Sequence, residues 1–203
     1  MAGHGDASVL KVVALEPHKI EKFTEESIPD TPKVLTAALD NTIVLWNYEK
    51  MEIISQMHAP KNSELSCMTF LFKSCLVATG HEDGEIRLWN MEINSSVLLK
   101  APKNKRHSNL ISCIHGTIWN KSEFLLAGSY DGKVSIWEIT EKKPKNDPDQ
   151  HQSTTILPQI RHLIDNSRVE KKSKNCSDLT DEVLVLNAFE WENECYILVG
   201  GNN

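Results

Sequence analysis

One pattern occurs three times in this chain and restricts its fold more than any other feature. An Asp is followed six residues later by a Trp, and apolar residues alternate between the two. The three copies occupy residues 40–46, 83–89 and 131–137, so the steps from Trp to Trp are 43 and 48 residues. A regular period in this range is typical of repeat architectures, in which each repeat is one supersecondary unit. The chain is therefore expected to fold as consecutive copies of one unit.

Each copy contains the signals of a β-hairpin. Asp83-Gly84 and Asp131-Gly132 favour a tight hairpin turn, because both turn positions must tolerate positive φ, and an Asp-Asn pair stands at 40–41. After each turn, apolar residues alternate with the period of two that a half-buried strand requires. Further strand-like stretches flank the hairpins, so we expect about four short antiparallel strands in each unit, as in one blade of a β-propeller.

With these features the chain resembles a WD40-repeat protein. In that family a Gly-His pair opens each repeat, a Trp-Asp pair closes it, and a Trp, a Ser or Thr, an Asp and a His share a hydrogen-bond network inside the blade. The resemblance implies a structural network of this kind in each repeat here. The matching residues are Thr36, Asp40 and Trp46 in the first repeat, His58, Thr79, Asp83 and Trp89 in the second, and His107, Asp131 and Trp137 in the third.

The match departs from the family pattern at several positions. The closing pair is Trp-Asn or Trp-Glu and never Trp-Asp. Ala127 stands where the hydroxyl of the third repeat belongs, and His4, which follows Gly3, is the candidate histidine of the first. A buried Asp needs hydrogen bonds or a charged partner, and a neighbouring Trp and His can donate them. We therefore interpret these residues as structural and expect no catalytic residues among them.

The repeats divide the chain into segments, and its last residues, Gly-Gly-Asn-Asn, end before the Trp that would close a fourth repeat. The predicted fold class is all-β: a partial WD40-type β-propeller of three blades and an incomplete fourth, from a fragment or truncated isoform of a longer propeller. The missing blades would belong to the parent chain or to a partner, because an unpaired strand edge invites pairing. The expected segments are a first blade at 1–57 with a long internal loop at 16–32, a second blade at 58–100, a third at 101–140, a polar and largely flexible insertion at 141–181 with an outer strand near 154–157, and an incomplete fourth blade at 182–203.

Composition and motifs exclude several classes of function. A net charge of −6 at pH 7 argues against nonspecific nucleic-acid binding through a global basic field. No apolar run approaches the ~20 residues of a membrane span, and the N-terminus lacks the features of a secretory signal. The 5 cysteines include no Cys-x-x-Cys pair and the 8 histidines form no ligand-spaced cluster, so no metal and no other cofactor is expected.

Two basic runs are the candidate partner contacts. Either run can meet an acidic partner or nucleic acid, although a solvated loop is the simpler interpretation of each. Two tryptophans outside the repeat positions, Trp119 and Trp191, are expected in the core. The residues of the basic runs are Lys103, Lys105 and Arg106, followed by Arg168, Lys171, Lys172 and Lys174.

The resemblance implies a rigid, non-enzymatic scaffold for intracellular protein–protein interactions, with recognition by loop side chains at the blade rims. A fainter similarity to large WD-repeat proteins of cilia and cytoskeleton implies a cytoplasmic location, at the cytoskeleton or cilium, with the nucleus left open. The expected partners are other proteins rather than a membrane. One alternative is a WD-repeat subunit of an RNA-processing or chromatin assembly, which would use the basic runs. A propeller-based enzyme is a second alternative, and the sequence offers no polar cluster for it beyond the structural network.

Overall fold

The computed structural model describes most of the chain and shows an all-β protein. Among the described residues there is no α-helix, and one short 3-10 turn covers Lys103–Lys105. The predicted all-β fold class is confirmed. The described residues are 3–15, 33–60, 63–91, 93–142, 155–165 and 182–201.

The strands form three four-stranded antiparallel sheets and one two-stranded sheet, each built from strands in chain order. The first sheet contains β1 (Val9–Leu15), β2 (Lys33–Ala38), β3 (Thr42–Asn47) and β4 (Glu52–His58). The second contains β5 (Leu65–Leu71), β6 (Leu76–His81), β7 (Ile86–Asn90) and β8 (Ser95–Leu98). The third contains β9 (Ile111–Trp119), β10 (Ser122–Ser129), β11 (Lys133–Lys142) and β12 (Thr155–Asp165). The fourth contains β13 (Val183–Trp191) and β14 (Glu194–Gly201).

The turns between the second and third strands of the three larger sheets follow the predicted hairpin chemistry. Asn41, Gly84 and Gly132 have φ values of 62°, 81° and 74°, which lie in the left-handed region. Asn and Gly tolerate this region best, since a short polar side chain or no Cβ avoids the usual clash. The Asp that precedes each of these residues therefore stands at the same end of its sheet in all three repeats.

The sheets stack face to face in chain order around their first strands. β1 contacts β5, β5 contacts β9, and β9 contacts β13. Three apolar clusters fill the three interfaces, and Trp89 and Trp137 are buried in the first and second of them. Burial of apolar area of this kind is the main favourable term in folding. The stacking places the hairpin turns of neighbouring sheets beside the loops that enter the next sheet.

Polar contacts also join neighbouring sheets. The Ser66 hydroxyl donates to the Ile111 carbonyl oxygen at 2.6 Å, and Ser112 donates in the same way to the Val183 carbonyl oxygen. Both serines lie in the first strand of their sheet, and each carbonyl group belongs to the first residue of the next sheet's first strand. The same hydrogen bond is therefore repeated at two successive interfaces.

A buried carboxylate makes a second type of connection between sheets. Glu123 in β10 is 2% exposed, and its two carboxylate oxygens accept hydrogen bonds from the backbone N–H groups of Lys73 and Ser74 at 2.8 and 2.9 Å. Charge-assisted hydrogen bonds of this kind are stronger than neutral ones. Glu123 therefore fixes the turn between β5 and β6 against the third sheet.

The third sheet is larger than the sequence indicated. Its outer strand was expected near 154–157 within a largely flexible insertion at 141–181, but it runs over Thr155–Asp165, and residues 141–142 belong to β11. The reason is the long β11, which pairs with β12 from Lys133 to Lys142. The predicted loop at 16–32 and the remainder of the insertion, 143–154 and 166–181, lie outside the described residues.

The two tryptophans expected in the core lie elsewhere. Trp191 is 62% exposed, on the face of the fourth sheet that points away from the third, and Trp119 is only half-buried. Trp191 is the last residue of its strand and alternates with the residues that pack against the third sheet. The expectation was wrong because strand position alone did not reveal which face of the fourth sheet is covered.

Candidate functional site

At the turn end of the first sheet, the polar residues of the first repeat form a hydrogen-bonded cluster. His4 Nδ1 lies 3.2 Å from Asp40 Oδ2 and 2.7 Å from Thr42 Oγ1, and His4 Nε2 lies 2.6 Å from Thr36 Oγ1. The Trp46 indole N–H donates to the same Thr36 oxygen at 2.8 Å. The segment before β1 thus supplies the histidine, and the structure brings His4 together with the three residues predicted for this repeat.

Burial and hydrogen bonding have opposite effects on Asp40. Desolvation alone would raise the pKa of Asp40, but the hydrogen bonds from the Thr42 hydroxyl and backbone N–H, together with His4, lower it below its usual value overall. A depressed pKa means that the folded state favours the carboxylate. The cluster therefore holds an ionised Asp40 near neutral pH.

The second sheet uses a different histidine from the one predicted. His81 Nε2 lies 2.9 Å from Thr79 Oγ1, which also accepts the Trp89 indole N–H at 2.7 Å, whereas His58 is exposed at the end of β4. The assignment of His58 to this network is therefore corrected. The physical reason is the period of two in a strand, which puts His81 on the same face of β6 as Thr79. His58 follows the buried Met57 and so points outward.

His81 is a neutral, fully satisfied imidazole. It is 0% exposed, and its Nδ1 lies 3.2 Å from the Ser63 carbonyl oxygen, which can only accept. Nδ1 therefore carries the proton, and Nε2 is free to accept from the Thr79 hydroxyl. Burial lowers the pKa of His81 below its usual value, because desolvation penalises the imidazolium.

Because His81 takes this position, Asp83 is left outside the cluster of its own sheet. Its carboxylate accepts the backbone N–H of Glu85 at 3.0 Å within the turn, and the residue is exposed. No histidine pairs with it among the hydrogen bonds described for this part of the chain. Asp83 therefore differs from Asp40 and Asp131, which both bind a histidine.

The third sheet completes its cluster with a residue that the sequence reasoning missed. His107 Nδ1 lies 3.1 Å from Asp131 Oδ1, and His107 Nε2 lies 2.8 Å from Ser135 Oγ, which accepts the Trp137 indole N–H at 3.1 Å. Ser135 is the cross-strand partner of Ala127, where the hydroxyl was expected. The hydroxyl of this repeat therefore lies on β11, at the residue that pairs with Ala127, and not on β10. Its position two residues before Trp137, on the same strand face, was the available signal.

The bonds around Asp131 resemble those around Asp40. Desolvation alone would raise the pKa of Asp131, but the hydrogen bond and charge of His107 and the backbone N–H groups of Ser108 and Lys133 lower it overall. The carboxylate is thus held ionised beside the imidazole.

The hydrogen bonds also connect Asp131, His107 and Ser135 in the same sequence as in a nucleophilic triad, in which a carboxylate orients a histidine that contacts a hydroxyl. For Ser135 to act as a nucleophile, the carbonyl group of a substrate would have to reach its oxygen. Ser135 is 0% exposed and its oxygen already accepts the indole N–H of Trp137. The geometry therefore fits a structural connection rather than a nucleophile.

The first basic run lies on the loop between the second and third sheets. Lys103 and Arg106 are exposed and Lys105 is half-buried, and the Arg106 Nε–H donates to the Ala101 carbonyl oxygen at 2.8 Å. The second run, with Arg168, Lys171, Lys172 and Lys174, lies outside the described residues.

Three other kinds of feature bear on function: metal-ligating clusters, cysteine thiols and membrane-spanning helices. Within the described ranges, no group of three His, Cys, Asp or Glu side chains is placed to hold a metal ion. Cys67, on β5, has its pKa raised to about 12, mainly by burial, so its thiol is protonated near neutral pH. The part of the chain that the structure describes contains no helix long and apolar enough to cross a membrane.

A match to one family model supports the repeat assignment. The family model "WD domain, G-beta repeat" matches residues 51–90 and 101–138. Among solved structures, the "Crystal structure of RRP9 WD40 repeats" has a TM-score of 0.49 and 18% identity, and the match covers 65% of this chain and 36% of that one.

Several curated relatives are similar over parts of their length. The "Ribosome biogenesis protein WDR12 homolog" of Dictyostelium discoideum is 22% identical over 148 residues, which cover 72% of this chain and 30% of the relative. "Protein transport protein Sec31A" of Danio rerio is 31% identical over 61% of this chain and 10% of its own. "Dynein axonemal assembly factor 10" of Xenopus tropicalis is 31% identical over 41% of this chain and 25% of its own.

The chain thus spans about a third or less of each of these relatives. The two segments matched by the family model end at the third strands of the second and third sheets, next to Trp89 and Trp137. Sequence pattern, sheet content and family model agree that residues 51–90 and 101–138 contain WD40 repeats.

Proposed function

We propose that this chain is a non-enzymatic platform that binds other proteins through the loops at the rims of its sheets. The observation that carries the proposal is that the potentially reactive side chains are engaged in hydrogen bonds with one another or are buried. The histidines, hydroxyls and carboxylates of the first and third clusters bind one another, and Ser135 and His81 are fully buried. Most of the exposed charged residues that the structure describes lie instead in turns and connecting loops, where recognition residues are commonly found.

The setting of the platform has two candidates. Similarity to the dynein axonemal assembly factor supports a cytoplasmic role in cytoskeletal or ciliary assembly. Similarity to ribosome biogenesis protein homologues of Dictyostelium discoideum and Ixodes scapularis supports a subunit of an RNA-processing assembly as strongly, and this would place the chain in the nucleus. The fold itself does not choose between them, since one fold supports many functions.

Affinity capture from cell extract, with and without ribonuclease, tests the proposal. The full chain is the bait, and the same chain with Trp137→Ala, which breaks a buried cluster, controls for binding that does not need the fold. A protein set that survives ribonuclease and is lost with the control bait supports the platform. Recovery of RNA, together with loss of the proteins after ribonuclease, would favour the RNA-processing assembly. A bait that recovers neither would contradict both.

A further inference from the structure

A groove opens between the second and third sheets at their turn ends. Its volume is about 480 Å³, within the range of ligand-binding pockets. Its floor is apolar and belongs to the ends of β7 and β8, the following residues, and the third sheet. The floor residues are Ile86, Leu98, Leu99, Ala101 and Trp137.

The two lips of the groove carry opposite charges. The segment that follows β8 contributes Lys100, Lys105 and Arg106, and the turn between β6 and β7 contributes Asp83 and Glu85; we call these two segments the lips of the groove. No ion pair is described for these three basic side chains, and the single bond described for Arg106 is to a carbonyl oxygen. The lips therefore offer more free positive than negative charge.

On the acidic lip, one carboxylate is already engaged. Glu85 pairs with Arg87 at 2.8 Å, so its charge is partly neutralised. Asp83, released from its cluster by His81, accepts one backbone N–H in its own turn and is exposed. The acidic lip thus presents mainly the Asp83 carboxylate.

The walls of the groove are held by tight packing and backbone contacts. A Cβ added at Gly84 would lie 2.8 Å from the His107 carbonyl oxygen, so the turn of the second sheet rests directly on the loop that enters the third. The Leu99 N–H donates to the Ile86 carbonyl oxygen at 2.9 Å, which fixes the other wall. A ligand would meet a largely preformed site, and preformed sites bind at a lower entropic cost.

We propose that this groove binds an extended peptide segment of a protein partner, in which an apolar side chain is flanked by acidic residues. This inference rests on the proposed platform function and names the chemistry of one contact surface. The apolar side chain would be buried on the floor beside Leu98, and the flanking carboxylates would pair with Lys100 and Lys105. Charge complementarity of this kind sets register and specificity more than raw affinity.

The same basic residues would attract RNA, but two features of the groove favour a peptide. A nucleic-acid backbone carries a charge at every nucleotide, and the Asp83 and Glu85 carboxylates would repel it across the same groove. The floor residue that reaches solvent is the half-buried Leu98, which has no ring for base stacking, whereas the other four floor residues, including Trp137, are buried. A peptide can place its charges on one lip only.

Fluorescence anisotropy with the full chain and four labelled probes tests the proposal. The first probe is a synthetic peptide of about nine residues with a central Leu between two pairs of Glu, long enough to lie along such a groove with its Glu side chains on the basic lip. The second replaces the Leu by Ser, the third replaces each Glu by Lys, and the fourth is a single-stranded RNA of similar length. The first peptide should bind at least about tenfold more tightly than each of the others, because only it satisfies both floor and lip.

Three substitutions locate the binding. Lys100→Glu should weaken binding of the first peptide about tenfold, whereas Lys50→Glu, an exposed lysine on a turn of the first sheet with the same change in net charge, should not. Leu98→Ser should reduce the preference for Leu over Ser. Asp83→Asn keeps the acceptor for the Glu85 N–H but removes a repulsive charge, so it should strengthen binding about threefold.

Four results would contradict the proposal that this groove binds the peptide. They are equal binding of the Leu and Ser peptides, equal loss with Lys100→Glu and Lys50→Glu, tighter binding of RNA than of the first peptide, and no binding of that peptide at all. Thermal melting of each variant checks that the fold is intact. If the groove fails while affinity capture still recovers ribonuclease-resistant partners, the platform function stands and its contact surface lies elsewhere.

Discussion

Replacing Ser135 by Ala removes the single oxygen on which the third cluster converges. Its Oγ accepts the Trp137 indole N–H at 3.1 Å and lies 2.8 Å from His107 Nε2, inside the interface between the second and third sheets. Alanine leaves both ring nitrogens without this partner. Each unsatisfied buried polar group costs about 1–3 kcal/mol, so we expect the two together to lower the free energy of unfolding by about 2–6 kcal/mol.

Urea unfolding followed by tryptophan fluorescence measures this change, and the chain has 5 tryptophans. The transition midpoint should move to lower urea with an unchanged slope, because the substitution alters stability and not the surface exposed on unfolding. The matched control is Ser108→Ala. Ser108 is exposed and only its backbone N–H takes part in the cluster, so this variant should stay within about 0.5 kcal/mol of the wild type.

A second substitution tests whether the hydroxyl can stand on either strand. Ala127 faces Ser135 in the register of β10 and β11, and the corresponding residues in the other two sheets are Thr36 and Thr79. Ala127→Thr should therefore stabilise the Ser135→Ala variant, although overpacking of about 1–3 kcal/mol would keep the recovery partial. If Ser135→Ala has no effect, the cluster does not stabilise the sheet. If the double variant is less stable than the single, the two positions are not interchangeable.

Two further predictions concern other buried groups. Burial lowers the folded-state pKa of His81, so only the unfolded chain binds a proton just below its unperturbed value of 6.5, and stability is lost as pH falls through that range. Urea midpoints at about pH 7 and pH 5 should therefore differ less in His81→Gln than in the wild type, and an equal difference would contradict the neutral assignment. Glu123→Gln replaces one acceptor oxygen by an NH₂ group facing a backbone N–H of Lys73 or Ser74, so the free energy of unfolding should fall by about 1–3 kcal/mol. Glu49→Gln, on an exposed turn, is its control, and equal urea midpoints for these two variants would show that the carboxylate is not needed.

The fold could be predicted because its strongest signals are local. Period-two alternation and the Asp-Gly turns depend on neighbouring residues, and the structure places strands and left-handed turn residues where these signals stand. The extent of β12 could not be predicted in this way. It depends on pairing along the whole of β11, which is a contact between residues distant in sequence.

The clusters were harder to predict than the strands because they depend on register. The sequence indicated Asp40, Asp131 and the three repeat tryptophans, whose spacing is fixed by the hairpins. Several partners of these residues come from other segments of the chain, such as His4, Thr36 and His107. An exchange across one strand pair, such as Ala127 with Ser135, also leaves the geometry intact while changing the motif. A motif that assigns the hydroxyl to one strand therefore misses a cluster in which the hydroxyl stands on the paired strand.

The sequence indicated a complete hydrogen-bonded cluster in the second repeat and an incomplete one in the third, but the structure shows the reverse. The second appeared complete in sequence, yet His81 takes the hydroxyl of Thr79 and leaves Asp83 free on the surface. The third appeared deficient, yet Ser135 gives it a closed cluster in which Asp131 binds His107. A carboxylate that is engaged in a cluster is unavailable to a ligand, whereas a free one contributes charge to the adjoining groove. The departure from the repeat motif at Asp83 thus places an additional carboxylate at the edge of the groove that we propose as a peptide site, where its charge limits the binding of an acidic peptide.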